Sequence, residues 1–429
     1  MNILVISYEA WRDTNNGGNV LSNIFCAFPD ADIAQIYCSG EAPQNSICRK
    51  YYQIADSMLL TKGKGRRLEE KDYSDTAQED PASIENEINS RIPGAFKSAS
   101  LLVRELMWSV MNWRTKDLDA FITEFKPDII FAPCYYYYHV SELALYVKSI
   151  AKCPMISYIS DDNYSLRQIR FAPSFWINRL ITRKWIRRIF SECSLVYTMT
   201  RMQKTEYEKL FGRPMKILCK SAPFERINKE PGNPVRLIYA GSLYLNRWKI
   251  LAAISDALAV LNDDEVKAQL HIFSGTNLNS RQKKMLNDGK NSFCHGLIPY
   301  RELEEWYKKS DVAVFAESFD LKNRLLTRLS FSTKIIDCLN SGCAVLAVGP
   351  ADQGGMQYLK ENDAAICVNS LKELPAAVRA IAEDPGMIVR YSEKANQLGK
   401  KNHMKADIEK SLRKDFYDIA AGNTSAPTE

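Results

Sequence analysis

Along this chain short apolar runs alternate with stretches in which apolar residues recur every three or four positions. Residues 1–7 read as a strand, a polar loop follows at 13–18, and Val20, Leu21, Ile24, Phe25 and Phe28 then fall at helical spacing. Buried-strand patterns recur at 33–37, 128–131, 155–159 and 195–198, with helical patterns such as 118–125 between them. Near-continuous apolar strands separated by amphipathic helices predict a mostly parallel, doubly wound sheet.

The pattern then repeats. A polar, proline-bearing segment at 223–234 reads as a linker. Beyond it, strands are expected at 237–240, 269–273, 312–315, 344–347 and 365–368, with a helix at 248–261. Met404, Ile408, Leu412 and Phe416 recur every four residues, which predicts a packed terminal helix within 401–422. The organisation expected is therefore an α/β domain over 1–222, a second over 235–400, the terminal helix, and a tail without fixed structure at 423–429. Residues 61–91 are rich in Lys, Glu, Asp and Arg and read as a mobile charged insertion. Two consecutive domains of this kind imply a ligand cleft facing the carboxyl ends of both sheets.

Composition narrows the classes. The chain has 429 residues, enough for two cores, with 46% hydrophobic and 25% charged residues. A net charge of +6 suits phosphorylated ligands or an anionic membrane surface. There is no zinc-finger spacing and no RNA-binding aromatic signature, so nucleic acid is not expected as a partner. The eleven cysteines show no CxxC spacing and the four histidines are scattered, so no metal site is expected and the thiols read as reduced. No signal peptide and no apolar run of membrane-spanning length is recognised, which points to a cytoplasmic protein.

Four places carry candidate chemistry. Gly17 and Gly18 open onto a helix start and could expose backbone N–H groups to an anion; a simple tight turn is the plain alternative. Gly241 and Ser242 begin a similar loop that adds Arg247 and Lys249, two cations able to clamp a diphosphate or to lie on a solvated helix face. Ser332 and Thr333 are placed to cap a helix, with Lys334 in its first turn. That is a poor position for a cation by helix-dipole reasoning unless an anion binds there. Asp337 lies three residues on and could accept hydrogen bonds from ribose or sugar hydroxyls; an ordinary capped helix is the alternative. Asp161 and Asp162 follow the 155–159 strand and are candidates for taking a proton from an acceptor hydroxyl. Two adjacent acids do not by themselves make a metal site.

The segment 330–347, with Ser or Thr, Lys, an acid three later and then L-x-S-G-x-x-V-L-A, resembles the donor-binding region of GT-B glycosyltransferases, especially the family 4-like group. The resemblance implies two Rossmann-like doubly wound domains facing across a cleft, with a nucleotide-diphosphate sugar, of UDP or GDP type, bound by the second. It matches Asp337 to the second acid of that group's E-x7-E element, while Leu329 occupies the first. Glu317 and Asp320 are nearby acids at other spacings. Gly241, Ser242 and the cations Arg247 and Lys249 look like the group's G-x-L-x-x-x-K region. Gly296 and Ile298 would frame the base, while Leu303 and Trp306 read as packing. Gly17 and Gly18 look like its N-terminal diglycine loop. No cofactor beyond the donor is implied.

The first domain is expected to hold a saccharide or lipid-linked saccharide acceptor. Residues 135–138 form a run of four tyrosines, which could stack on sugars or pack at a strand end. Residues 175–190 place Trp176, Ile177, Leu180, Ile181, Trp185 and Ile189 on one helix face among five cations. This pattern fits an interfacial helix on anionic lipid as well as a core helix with a basic outer face. The resemblance implies a hexosyltransferase-like glycosyltransferase of bacterial surface polysaccharide assembly, and the membrane reading of residues 175–190 would make it peripheral on the inner membrane face. The alternatives are a nucleotide-sugar 2-epimerase of the same plan and an inactive nucleotide-sugar-binding protein.

Overall fold

The computed structural model describes residues 1–13, 16–61, 65–68, 94–225 and 229–423. Loop positions 14 and 15, nearly all of the expected insertion at 61–91, linker positions 226–228 and all but the first residue of the expected tail lie outside them.

The chain forms two compact α/β units. Unit 1 comprises Met1–Met199, Lys204–Leu218 and a last segment that begins at Glu409; unit 2 comprises Thr200–Gln203 and Cys219–Ile408. Among the described residues, no helix is long and apolar enough to cross a membrane.

The sheet of unit 1 contains β1 (Asn2–Ser7), β2 (Asp32–Tyr37), β3 (Lys50–Gln53), β4 (Arg66–Leu68), β5 (Ile129–Pro133), β6 (Met155–Ile159), β7 (Leu195–Thr198) and β8 (Lys216–Ile217). Their order is β4-β3-β2-β1-β5-β6-β7-β8, and every pairing is parallel except β3 with β4. Ile3, Leu4, Val5 and Ile6 of β1 are all fully buried, as expected of a central strand covered on both faces. The terminal helix Lys405–Ala420 adds Phe416 to this core, with ring centroids 4.8 Å from Phe28, 6.1 Å from Phe131 and 6.2 Å from Phe25. Asp415 beside it accepts from the Tyr197 hydroxyl at 2.7 Å and pairs with Lys216 at 2.5 Å, so its buried carboxylate is compensated.

Unit 2 contains β9 (Val235–Ala240), β10 (Ala268–Phe273), β11 (Ser292–Gly296), β12 (Val312–Ala316), β13 (Ala344–Val348) and β14 (Ile366–Val368). Their order is β11-β10-β9-β12-β13-β14, all parallel. The helix Arg247–Leu261 buries Ile250, Leu251, Ile254, Leu258 and Leu261 against this sheet, the face its periodicity predicts.

The strands predicted from apolar runs are present in both sheets. Strands β3, β4, β8 and β11 were not predicted. They are short or polar (KYYQ, RRL, KI, SFCHG), lie toward sheet edges and are held by backbone pairing rather than by an apolar run.

Candidate functional site

In unit 2 the winding of the sheet reverses between β9 and β12, and the candidate residues gather at the carboxyl ends of these two strands. Gly241 follows β9 with φ +142°, a conformation that favours glycine, and its N–H donates to Phe273 O at 2.8 Å. The loop beyond is pinned where the Tyr239 hydroxyl donates to Ser242 O at 2.7 Å and Thr276 Oγ1 accepts from Leu243 N at 3.0 Å. Asn246, in the left-handed region, then starts the helix at Arg247.

Arg247 reaches across to Glu317 at the end of β12, with Nη2 donating to Oε1 at 2.9 Å and Oε2 at 3.2 Å. Both side chains are largely buried. Asp320, three residues on, accepts from Asn246 and from Lys249 Nζ at 3.3 Å. The two cations read from the sequence therefore meet the two acids that follow β12, Arg247 in the interior and Lys249 nearer solvent.

Lys334 completes the group. Its side chain lies over Gly241 so closely that a Cβ there would be 2.0 Å from Cε, and Nζ lies 5.7 Å from the Tyr239 ring centroid. Burial pushes the ammonium down to about 8, and neighbouring Arg247 adds to this, while Glu317, Cys338 and Asp337 pull the other way. Asp337, one turn on, pairs with Lys220 at 2.6 Å.

The expected Ser332–Thr333 cap is not formed. Thr333 is in the right-handed helical region (φ −58°, ψ −21°) and its side chain makes no capping hydrogen bond. The amides of Ile335 and Ile336 instead donate to the carbonyls of Ser332 and Thr333 in tight turns. A capping side chain ordinarily works from an extended backbone, which Thr333 does not have, so Lys334 stands in the first turn of a helix without a side-chain cap from Thr333. Leu329 is fully buried, and its carbonyl accepts from Thr200 Oγ1 at 3.2 Å, so this position is part of the core.

Gly296 ends β11 with φ +75° and is exposed; Ile298 is half-buried two residues on. Behind them His271, Phe273, His295 and Trp306 form a ring cluster with centroids 4.6 to 5.3 Å apart, which places Trp306 in packing. Burial pushes His271 down to about 4, with His295 adding to the effect.

In unit 1, Gly17 and Gly18 form the first turn of the helix Asn16–Phe25. Gly18 packs on backbone: a Cβ would lie 2.0 Å from Arg12 O. Asp161 and Asp162 follow β6 but differ sharply. Asp161 is exposed. Asp162 is 3% exposed and accepts from Ser165 N at 2.8 Å, Tyr164 N at 3.3 Å, the Tyr207 hydroxyl at 3.1 Å and the Ser165 hydroxyl. Its carboxylate closes the loop on itself.

The helix Pro173–Glu192 does not bury the face that the core-helix reading expects. Asn178, Arg179, Thr182, Ile186, Ile189 and Phe190 point inward, while Ile177 and Leu180 are exposed beside Lys184, Arg187 and Arg188. The inward polar groups have work there: Arg179 Nη1 donates to Asp162 O at 3.2 Å and Thr182 Oγ1 to Tyr136 O at 3.2 Å. Leu180, Arg183, Lys184, Arg187, Arg188 and Ser191 line a shallow open groove along the outer side.

Sequence reasoning missed Lys220 and the pairing of Glu317 with Arg247; Glu317 had been noted only as a nearby acid. The signal available was its position directly after a predicted parallel strand, where ligand-binding side chains of α/β sheets collect.

No protein-family model matches the sequence, and a comparison with curated proteins found no match. Solved structures are similar in fold. Sucrose-phosphate synthase from Thermosynechococcus elongatus superposes with a TM-score of 0.64 at 13% identity, over 98% of this chain and 99% of that one. HepE from Anabaena in complex with UDP gives 0.61 at 13% identity over 97% and 100%. The α,α-trehalose 6-phosphate synthase of Burkholderia multivorans gives 0.61 at 11% over 98% and 99%. At this identity the likeness shows the fold: two Rossmann-like α/β units in the GT-B architecture.

Proposed function

We propose that this chain is a glycosyltransferase of the family 4-like kind, moving a sugar from a nucleoside-diphosphate sugar to a saccharide or lipid-linked saccharide. The observation that carries the reading is the convergence of Arg247 and Lys334 where the sheet of unit 2 reverses, with Lys334 laid on Gly241. Two cations at the carboxyl end of a parallel sheet suit a diphosphate, and their largest contribution comes as charge grows on the departing phosphate. Glu317 takes Nη2 of Arg247 with both oxygens, so the guanidinium is held in a fixed plane and meets the phosphate by its other edge. Asp337, oriented by Lys220, is the hydroxyl acceptor for ribose, and Gly296 with Ile298 borders the base. UDP and GDP donors are the first to try; the UDP complex of HepE, a protein of the same fold, supports that order.

On the acceptor side, Asp161 is the candidate to receive the hydroxyl proton, with Asp162 holding its loop. The exposed Ile177, Leu180, Lys184, Arg187 and Arg188 support peripheral attachment to an anionic bilayer, where a lipid-linked acceptor of surface polysaccharide assembly would reside.

A thermal-shift screen against UDP, GDP, CMP, ADP and dTDP sugars tests the donor site. Selective stabilisation that is lost in Lys334→Ala, followed by transfer to an acceptor, is the expected result. Stabilisation without transfer to any acceptor or to water would favour an inactive nucleotide-sugar-binding protein. No stabilisation by any of them would sink the donor assignment.

A further inference from the structure

Unit 1 has a reversal of its own: β1 stands between β2 and β5. Loops leaving neighbouring strands at such a point run in opposite directions and leave room for a ligand. Here the place is occupied by Tyr8 and Glu9, which follow β1, and by Tyr135, Tyr136 and Tyr137, which follow β5.

These side chains are already organised. Tyr136 packs against Tyr137 with ring centroids 4.0 Å apart and planes tilted by 38°, and Tyr137 packs against Tyr8 at 4.2 Å and 36°. Arg104, from the helix Gly94–Val110, backs the stack. Its Cζ lies 4.7 Å from the Tyr8 ring centroid and 5.0 Å from that of Tyr137, and Nη2 donates to the Tyr8 hydroxyl at 2.8 Å. Asp56 lies 2.7 Å from the guanidinium and accepts from Trp108 Nε1 at 2.7 Å. Deeper still, Glu105 and His139 pair at 2.8 Å in full burial, and the His139 ring stacks on Trp108 at 4.3 Å. Each layer holds the one before it, so the platform is rigid before any ligand arrives.

At its outer end Tyr136 is 46% exposed. Glu9 is near enough to Tyr135 and Tyr136 to disfavour their ionisation, and burial raises its own carboxyl above the usual range.

We propose that this reversal point is a saccharide site, with the Tyr136 face against the C–H side of a sugar ring and the Glu9 carboxylate accepting its hydroxyls. The ring it takes is uncharged. Arg104 is neutralised by Asp56 and covered by two tyrosine rings, so a phosphate gains little from it, and Glu9 repels one. Asp161 follows β6, the neighbour of β5. The word acceptor for this sugar rests on the transferase reading above; the binding itself does not.

The test is saturation-transfer NMR on the full chain, using a panel of neutral methyl hexosides with glucose 6-phosphate as the charged comparison. Expected is transfer to at least one neutral glycoside and little to the phosphate. It should persist in Tyr136→Phe, which keeps the ring, and fall at least fivefold in Tyr136→Ala and in Glu9→Ala. Nucleotide affinity measured on the same samples should be unchanged, and near-ultraviolet circular dichroism and the thermal unfolding profile should match those of the unaltered chain, which shows that unit 1 of the variants is folded. Equal transfer in Tyr136→Ala, preference for the phosphate, or no transfer to any neutral glycoside overturns the proposal. Glycoside binding without nucleotide binding would defeat the donor assignment and leave this site standing.

Discussion

Lys334 lies on the face of Gly241 where any side chain would stand: a β-carbon there falls 2.0 Å from the lysine Cε. Gly241→Ala is therefore predicted to displace the ammonium, and at φ +142° it also strains the loop after β9, so Lys334→Ala is measured beside it to separate the two effects. Nucleotide affinity should fall by about 10- to 100-fold, the equivalent of one charge-assisted hydrogen bond. Isothermal titration with the nucleotide chosen by the thermal screen checks this. Unchanged affinity would remove Lys334 from the site.

Donor binding should weaken with pH through this lysine. Its ammonium is held down to about 8, mainly by burial, so above that value the free protein loses the charge that an anion needs. Affinity should decline from about pH 8 upward, and Lys334→Arg should flatten the decline, because a guanidinium stays charged. Stability moves the other way. Between about 8 and the ordinary 10.5 the unfolded chain holds the proton and the folded one does not, so stability rises with pH over that window.

The Arg247–Glu317 pair makes a different prediction. With both side chains largely buried, Arg247→Ala leaves an uncompensated carboxylate and should cost about 3–5 kcal/mol of stability. The double variant Arg247→Met with Glu317→Leu should recover most of that loss while failing to bind nucleotide. Chemical denaturation of the single and double variants separates the two effects.

Acid should destabilise unit 2 through two imidazoles. Burial pushes both His271 and His403 down to about 4, and the His403 Nε2 lies 2.7 Å from the Tyr358 hydroxyl. Above pH 6.5 neither state binds the proton, so they have no effect there. As pH falls from 6.5 toward 4 the unfolded chain takes up protons that the fold refuses, and stability is lost. Calorimetric melting temperatures should drop across that interval, less steeply in His403→Gln.

Periodicity made the scaffold readable, because strands such as 155–159 and 195–198 are apolar runs covered on both faces and leave a clear pattern. The position of the β9–helix loop was readable too, from a strand pattern that ends in glycine before a helical one, whereas Arg247 turning inward to Glu317 and Lys249 outward to Asp320 was not. Edge strands like β4 and β11 were not, because their stability comes from neighbours that the local sequence does not name. The inward face of the helix Pro173–Glu192 was not legible for a related reason. Arg179 and Thr182 look like surface residues until Asp162 O and Tyr136 O appear as their partners. Likewise nothing in the sequence joins Glu105 to His139, or Arg247 to Glu317, across 34 and 70 positions.

The seat that Phe416 fills among Phe25, Phe28 and Phe131 has a consequence for synthesis. A growing polypeptide exposes its amino-terminal portion first, and most multidomain chains fold in that order. Here every residue of unit 2 is synthesised before Phe416, the residue that completes this aromatic group of unit 1. The earlier-made part of unit 1 must wait for this later-made helix, and until it arrives Phe25, Phe28 and Phe131 present the apolar surface that chaperones bind.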